Sequence, residues 1–357
     1  MHSQKNIARI YPWDWLKMWF QFSVPERLRP FGQKPIGADP RFPADPSWQN
    51  EKFLQEQPLE LERLRSPVST DSLLVIHPED LESPEICKQI HTALQKKDRI
   101  LLFKAFFADE AELLAWGREP AKYFKNDPYL FEMPDARDPA SQAHAMQWRD
   151  LHTAIQDMAS GARMYLGFSV TLAEKNPQFR AHLERILSKL GEKVPLEHSI
   201  RQCFSHSFLY HGNRYQALLH QATSPDFSFQ IANSKYWRFV MHRWSPCMET
   251  IPAQGIPGVW LSKHQLIHNT NIPYQEVLAE PGDILFFPEH LWHEVHNLED
   301  GPGLMCGLRA DYSPRTILKQ AWKRENISRA LAWHKYASCI STTLARPDLT
   351  RPEYQAE

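Results

Sequence analysis

His220 and His293 are the residues from which chemistry can be argued. They stand 73 positions apart, each inside a short apolar run that reads as a β-strand. Two imidazoles brought to one place can hold a divalent metal. Iron(II) sites of this kind add one carboxylate and leave the remaining positions open to small molecules. A carboxylate two residues after the first histidine would serve, because alternate strand residues share a face. Here the run is Leu219-His220-Gln221-Ala222, and alanine offers no ligand atom. Asp226 is the alternative third ligand, at an even offset four residues beyond Ala222. That is ~13 Å along an extended strand, a distance that a turn at Ser224-Pro225 would shorten.

The elements that must position these histidines follow from pattern. After Pro195 short β-rich runs succeed one another, near 203–210, 215–220, 226–232, 235–241, 275–279, 283–287, 292–297 and 303–310, separated by Gly, Pro, Asn and Ser. About eight strands at this spacing predict a jelly roll or related barrel. Residues 242–274 carry Pro246, Pro252, Pro257 and Pro273 and read as a long insertion between strands. Upstream, Leu73 to His77 and Arg99 to Phe103 read as strands. Pro84 to Lys97, Asp109 to Arg118 and Gln178 to Leu190 have helical spacing, with Asp109 as an N-cap. Residues 124–148 read as a polar surface loop. The fold class is therefore mainly β with added helices, α+β. It divides into a Pro/Trp-rich N-terminal arm and helix (1–70), an α/β portion (71–198), a barrel (199–313), and a C-terminal helical region with tail (314–357). In the arm, Trp13, Trp15 and Trp19 carry apolar surface that calls for cover by the main domain.

Bulk properties narrow the function classes. With 357 residues and 42% apolar content, one sizeable core is expected. A net charge of −1 without a basic stripe gives no footprint for nucleic acid. Cys87, Cys203, Cys247, Cys306 and Cys339 are scattered and form no CxxC pair. They read as reduced thiols, so a cytoplasmic or other reducing intracellular compartment is expected. No window approaches ~20 uninterrupted apolar residues, so no transmembrane segment is expected. Neither GxSxG, a P-loop, GxGxxG nor HExxH occurs.

Three stretches within about residues 200–312 resemble the JmjC and cupin-like Fe(II)/2-oxoglutarate-dependent oxygenases, particularly the asparaginyl-hydroxylase branch. The first runs from His220 to Lys235 and includes Phe229-Gln230-Ile231-Ala232-Asn233-Ser234-Lys235. The second is Val277 to Pro288, with its Pro281-Gly282-Asp283 turn. The third is Trp292-His293. The resemblance implies a double-stranded β-helix in which His220 and His293 hold Fe(II). It also implies that Lys235, fifteen positions after His220, pairs with the far carboxylate of 2-oxoglutarate. Arg309 falls where family members place groups that contact the cosubstrate. The sequence departs from the family at Ala222. In some iron/2-oxoglutarate halogenases the same carboxylate is Ala or Gly, and chloride takes the open position. The resemblance thus implies oxidation of a C–H bond, by hydroxylation or halogenation. The alternative is an inactive barrel that binds a small molecule or a protein. The substrate would be a small molecule or a protein side chain, and C-terminal helices beside such a barrel would allow a homodimer.

The remaining residues have plainer readings. Lys235 could equally be a solvated strand lysine, and Arg309 a member of a surface salt bridge. His206 and His211 could line a pocket, though 17 histidines make most of them ordinary. Tyr210 and Tyr215 suit an aromatic core, Asp283 shapes its turn, and His296, at an odd offset from His293, is structural.

Overall fold

A computed structural model describes residues 58–309 other than 97, 134–144, 163, 165, 167–170, 195–203, 212–215, 223–224, 243–249, 253–258, 263–271, 289–290 and 300. The expectations for the tryptophan arm and the C-terminal helices lie outside the described residues.

The N-terminal half alternates helix and strand. It runs α1 (Pro58–Arg65), β1 (Leu73–Ile76), a 3-10 turn (Pro78–Glu82), α2 (Pro84–Lys96), β2 (Ile100–Phe103), α3 (Ala111–Arg118), α4 (Pro120–Tyr123), β3 (Pro128–Met133), β4 (Ala145–Asp150), α5 (Leu151–Ala159), α6 (Thr171–Lys175) and α7 (Pro177–Lys193). Local chemistry explains the long helices. Proline at the first position of α7 has its ring angle preset and lacks an N–H that would go unused there. Phe179, Leu183, Ile186 and Leu190 then form one buried stripe along that helix. Phe179 meets Trp116 and Phe124 at ring-centroid distances of 5.4 and 4.9 Å, tying α7 to α3 and α4.

Two expectations need correction here. The N-cap of α3 is Glu110 rather than Asp109, and it makes no side-chain capping bond. Glu110 instead binds Arg185 and Lys189 of α7. The expected surface loop at 124–148 contains the antiparallel hairpin β3–β4, registered from Pro128↔Asp150 to Met133↔Ala145. Tyr129 and Phe131, two residues apart, are buried, which is the period of a half-buried strand.

The C-terminal half supplies β5 (Phe204–His211), β6 (Gln216–Ala222), β7 (Asp226–Ala232), β8 (Lys235–Val240), β9 (Thr250–Pro252), β10 (Val259–Ser262), β11 (Gln275–Ala279), β12 (Ile284–Phe287), β13 (Trp292–Asn297) and β14 (Pro302–Arg309). Eight of these match the runs read from sequence to within a residue or two. The stretch 242–274 differs, because β9 and β10 form inside it and extend the sheet beside β6. Two six-stranded sheets result, ordered β1-β2-β12-β7-β14-β5 and β11-β8-β13-β6-β10-β9. All described pairings in them are antiparallel except β1–β2.

Strand parity sorts the buried side chains into two cores. Phe227, Phe229, Ile231, Ile284, Phe286, Leu304, Cys306 and Leu308 pack outward against the helices. Leu285, Phe287 and Met305 of the first sheet instead join Trp237, Phe239, Val277, Ala279 and Val295 of the second. The second cluster fills the space between the sheets. No described helix is long and apolar enough to cross a membrane.

The Pro281-Gly282-Asp283 turn ties the strand-rich C-terminal half to the N-terminal half. Lys104 Nζ lies 2.7 Å from Asp283 Oδ2 and 3.0 Å from Glu280 Oε2. The Asp283 carboxylate also accepts from the backbone N–H groups of Ala105 and Glu280. Gly282 adopts φ +101°, and a Cβ there would stand 2.9 Å from Ala108 Cα. Gly282→Ala is therefore expected to destabilise the protein by about 1–3 kcal/mol, readable as a lowered midpoint in denaturant titration. An unchanged midpoint would mean that the turn relaxes freely.

Candidate metal and cosubstrate site

His220 and His293 come together because β6 and β13 are neighbours in the second sheet. They are direct register partners, with ring centroids 4.2 Å apart and planes inclined at 55°. The register slips between His293 and Val295, so a β-bulge lies beside the pair. Bulges of this kind bend a strand and re-aim side chains. On its other edge β6 pairs with β10, where Leu261 is the partner of His220. The insertion that sequence pattern leaves featureless thus flanks the histidine strand.

The tautomer of His293 follows from its bonds. Its Nδ1 lies 2.8 Å from the carbonyl oxygen of Leu291. A carbonyl can only accept, so Nδ1 carries a proton, and in the neutral ring Nε2 then carries the lone pair. That carbonyl contact is the outer-shell arrangement typical of metal-bound imidazoles. His293 is buried, while His220 is half-buried. The rings of Phe287, Trp237 and Phe239 surround His293 at centroid distances of 4.8, 5.8 and 5.9 Å.

The third ligand position is a separate matter. Ala222 ends β6, two residues after His220, with Val259 as its register partner. Asp226 opens β7 in the opposite sheet. Its carboxylate accepts from Ser228 Oγ at 3.2 Å and lies over Gly307, where a Cβ would meet it at 3.0 Å. Among the described residues no group of three or more His, Cys, Asp or Glu side chains is placed to share a metal ion. The structure therefore brings the two histidines together without bringing Asp226 to them. Their residue types fit a divalent iron through two imidazoles, with no carboxylate at the i+2 position.

Lys235 is not a solvated strand lysine. It opens β8, is completely buried, and holds Nζ 3.9 Å from Met305 Sδ. Its register partners are Ala279 and Asn297. Burial pushes its pKa well below the ordinary lysine value. The folded state then binds fewer protons than the unfolded chain at pH values between the two pKa values. Stability rises as pH climbs through that window and falls as pH drops back towards the folded pKa. Lys235→Met is expected to raise the unfolding midpoint of the ligand-free protein at neutral pH and to remove this alkaline rise. A pH–stability profile superimposable on wild type would show that the amine is not desolvated.

Arg309 ends β14 at the register position facing Asp226 in β7 and Phe204 in β5. His206, Tyr210 and His211 belong to β5, and Tyr215 lies outside the described residues. His296 Nε2 is 3.2 Å from both Glu294 Oε1 and Arg238 Nη2. Burial lowers its pKa, against a raising effect of Glu294.

Sequence reasoning missed two features. Trp237 and Phe239 follow Lys235 at even offsets and so share its inward face, a signal that parity alone would have given. The second is the ion pair of Arg238 and Glu294, both fully buried on the other face of the same sheet. Alternation gives that face but not its burial.

Two packed sheets, antiparallel except at β1–β2, carry paired imidazoles on adjacent strands and a buried amine on the next, and together these frame a candidate metal site. Residues 198–315 match the family model of the JmjC domain. That match implies a cupin-like jelly roll and a family that generally uses Fe(II) and 2-oxoglutarate. A search of curated proteins finds no match to the chain.

Proposed function

We propose that the protein is an Fe(II)/2-oxoglutarate-dependent enzyme that oxidises a C–H bond, built on a double-stranded β-helix of the asparaginyl-hydroxylase-like type. The observation that carries this reading is the His220–His293 pair, in register on adjacent strands with rings 4.2 Å apart. His293 Nε2 and the His220 ring would hold the iron, and the Leu291 carbonyl would keep the first in its ligating tautomer. Lys235 would anchor the far carboxylate of 2-oxoglutarate, with Arg309 as a further contact. Bound there, iron with 2-oxoglutarate and O₂ supplies the oxidising power that replaces hydrogen on carbon, while 2-oxoglutarate leaves as succinate and CO₂. Aromatic rings around His293 would keep water from the reacting atoms. Because Ala222 offers no ligand atom, an exogenous ligand would take its place on the metal. Chloride in that place would favour halogenation, and water would favour hydroxylation. Asp226 would serve as third ligand only if β7 moved towards the pair.

The test is turnover. Purified protein with Fe(II), 2-oxoglutarate and O₂ is expected to form succinate, and a chloride titration then separates the two outcomes. Absence of both iron binding and succinate would overturn the reading.

A second reading has one observation in its favour. The rings of Trp237, Phe239 and Phe287 contact one another at 5.3–5.7 Å and pack against His293, occupying interior space. A barrel filled in this way suits a non-catalytic module that binds a small molecule or protein. It predicts a folded protein that leaves 2-oxoglutarate unchanged.

A further inference from the structure

We infer that Trp237 is a cosubstrate-positioning residue, whose indole N–H donates a hydrogen bond to the far carboxylate of 2-oxoglutarate beside Lys235. The inference rests on the proposed 2-oxoglutarate chemistry and adds a residue to it.

Three observations carry it. Trp237 lies two residues after Lys235 and two before Phe239 on β8, so all three share the inward face. Phe239 is the register partner of His293, and the Trp237 ring itself lies 5.8 Å from the His293 ring. The indole therefore stands between the buried amine and the imidazoles. Its Nε1 is buried and has no hydrogen-bond partner among the described residues. A buried N–H without an acceptor is uncommon in folded proteins and points to a missing partner.

A second such atom lies nearby. Gln230 is on the inward face of β7, where its register partner Met305 is the residue touching Lys235 Nζ. Its amide nitrogen is held by the carbonyls of Ala232 and Asn233, while Oε1 is buried without a donor among the described residues. Donors at Trp237 and Lys235 suit the two oxygens of one carboxylate. The Gln230 oxygen suits the ammonium that such a carboxylate would induce on Lys235, because an adjacent anion favours the charged amine.

The experiment measures binding of 2-oxoglutarate and of 2-oxopentanoate, which lacks the far carboxylate, to Zn(II)-loaded wild type and Trp237→Phe. Phenylalanine keeps an aromatic ring and removes the N–H. The expected result is about ten-fold weaker binding of 2-oxoglutarate by the variant, with unchanged metal affinity and unchanged binding of 2-oxopentanoate. A purely structural role would weaken both acids alike and would overturn the inference. Equal 2-oxoglutarate affinity in both proteins would overturn it while leaving the proposed function intact. Failure of wild type to bind 2-oxoglutarate would remove the proposed function and the inference together. Should the variant not fold, the assigned indole N–H resonance of Trp237 in wild type decides the matter. It is expected to move downfield with 2-oxoglutarate and not with 2-oxopentanoate, and a resonance unmoved by 2-oxoglutarate contradicts the inference.

Discussion

Glu294→Ala is expected to destabilise the protein by about 3–5 kcal/mol, because it leaves the Arg238 guanidinium buried without its counter-charge. Both side chains have no exposed surface, and they face each other as register partners across β8 and β13. His296 adds a contact to each partner, and Tyr236 sets its ring 5.6 Å from the guanidinium. The cost arises from desolvation. A guanidinium that has lost its water cannot recover it when the carboxylate is removed. At roughly 2–4 °C per kcal/mol for a domain of this size, the melting midpoint should fall by about 10 °C. The double variant Arg238→Met/Glu294→Leu should recover most of the loss, since apolar groups of similar volume often replace a buried pair at little cost. Equal destabilisation of the single and double variants would show that shape rather than charge is at stake. His293 is the next residue along β13, so loosening this pair should also lower metal affinity.

His293→Ala is expected to weaken Fe(II) binding by about 100-fold or more, the upper end of what even an outer-shell change costs a metal site. On the proposed function, with alanine at position 222, two imidazoles would be the protein ligands, and the variant would keep only one. The ring also packs against Phe287, Trp237 and Phe239, so some loss of stability will accompany the change. His220→Ala is the cleaner partner experiment, because that ring is only half-buried. Both variants should lose iron while binding 2-oxoglutarate at Lys235 through its far carboxylate alone. Loss of iron in one variant and retention in the other would break the two-histidine assignment.

How far such sites are legible in sequence depends on which interaction decides them. The eight strands are legible as short runs of alternating character, such as Asp226 to Ala232, where Phe227, Phe229 and Ile231 alternate with polar residues although both faces are buried. The pairing of His220 with His293 follows from strand spacing and family resemblance, and the register makes them direct neighbours. The hairpin β3–β4 escaped because its strands are separated by a long polar stretch that dilutes their alternation. The strands β9 and β10 escaped because they are three and four residues long, too short for periodicity to register. Burial of Lys235 and of the Arg238–Glu294 pair is tertiary. A charged residue in a strand reads as solvent-facing until the elements that cover it are known. Gly282 was legible as a turn residue, but its contact with Ala108 joins elements about 170 residues apart.

On the proposed function, His220 and His293 hold a metal with no third protein ligand at Ala222. The most direct measurement is an anaerobic Fe(II) titration of wild type and Ala222→Asp. Wild type is expected to bind one iron per chain, and the aspartate variant to bind it at least about ten-fold more tightly by adding a third protein ligand. Wild type that binds no iron, or an aspartate variant whose affinity is unchanged, would contradict the account.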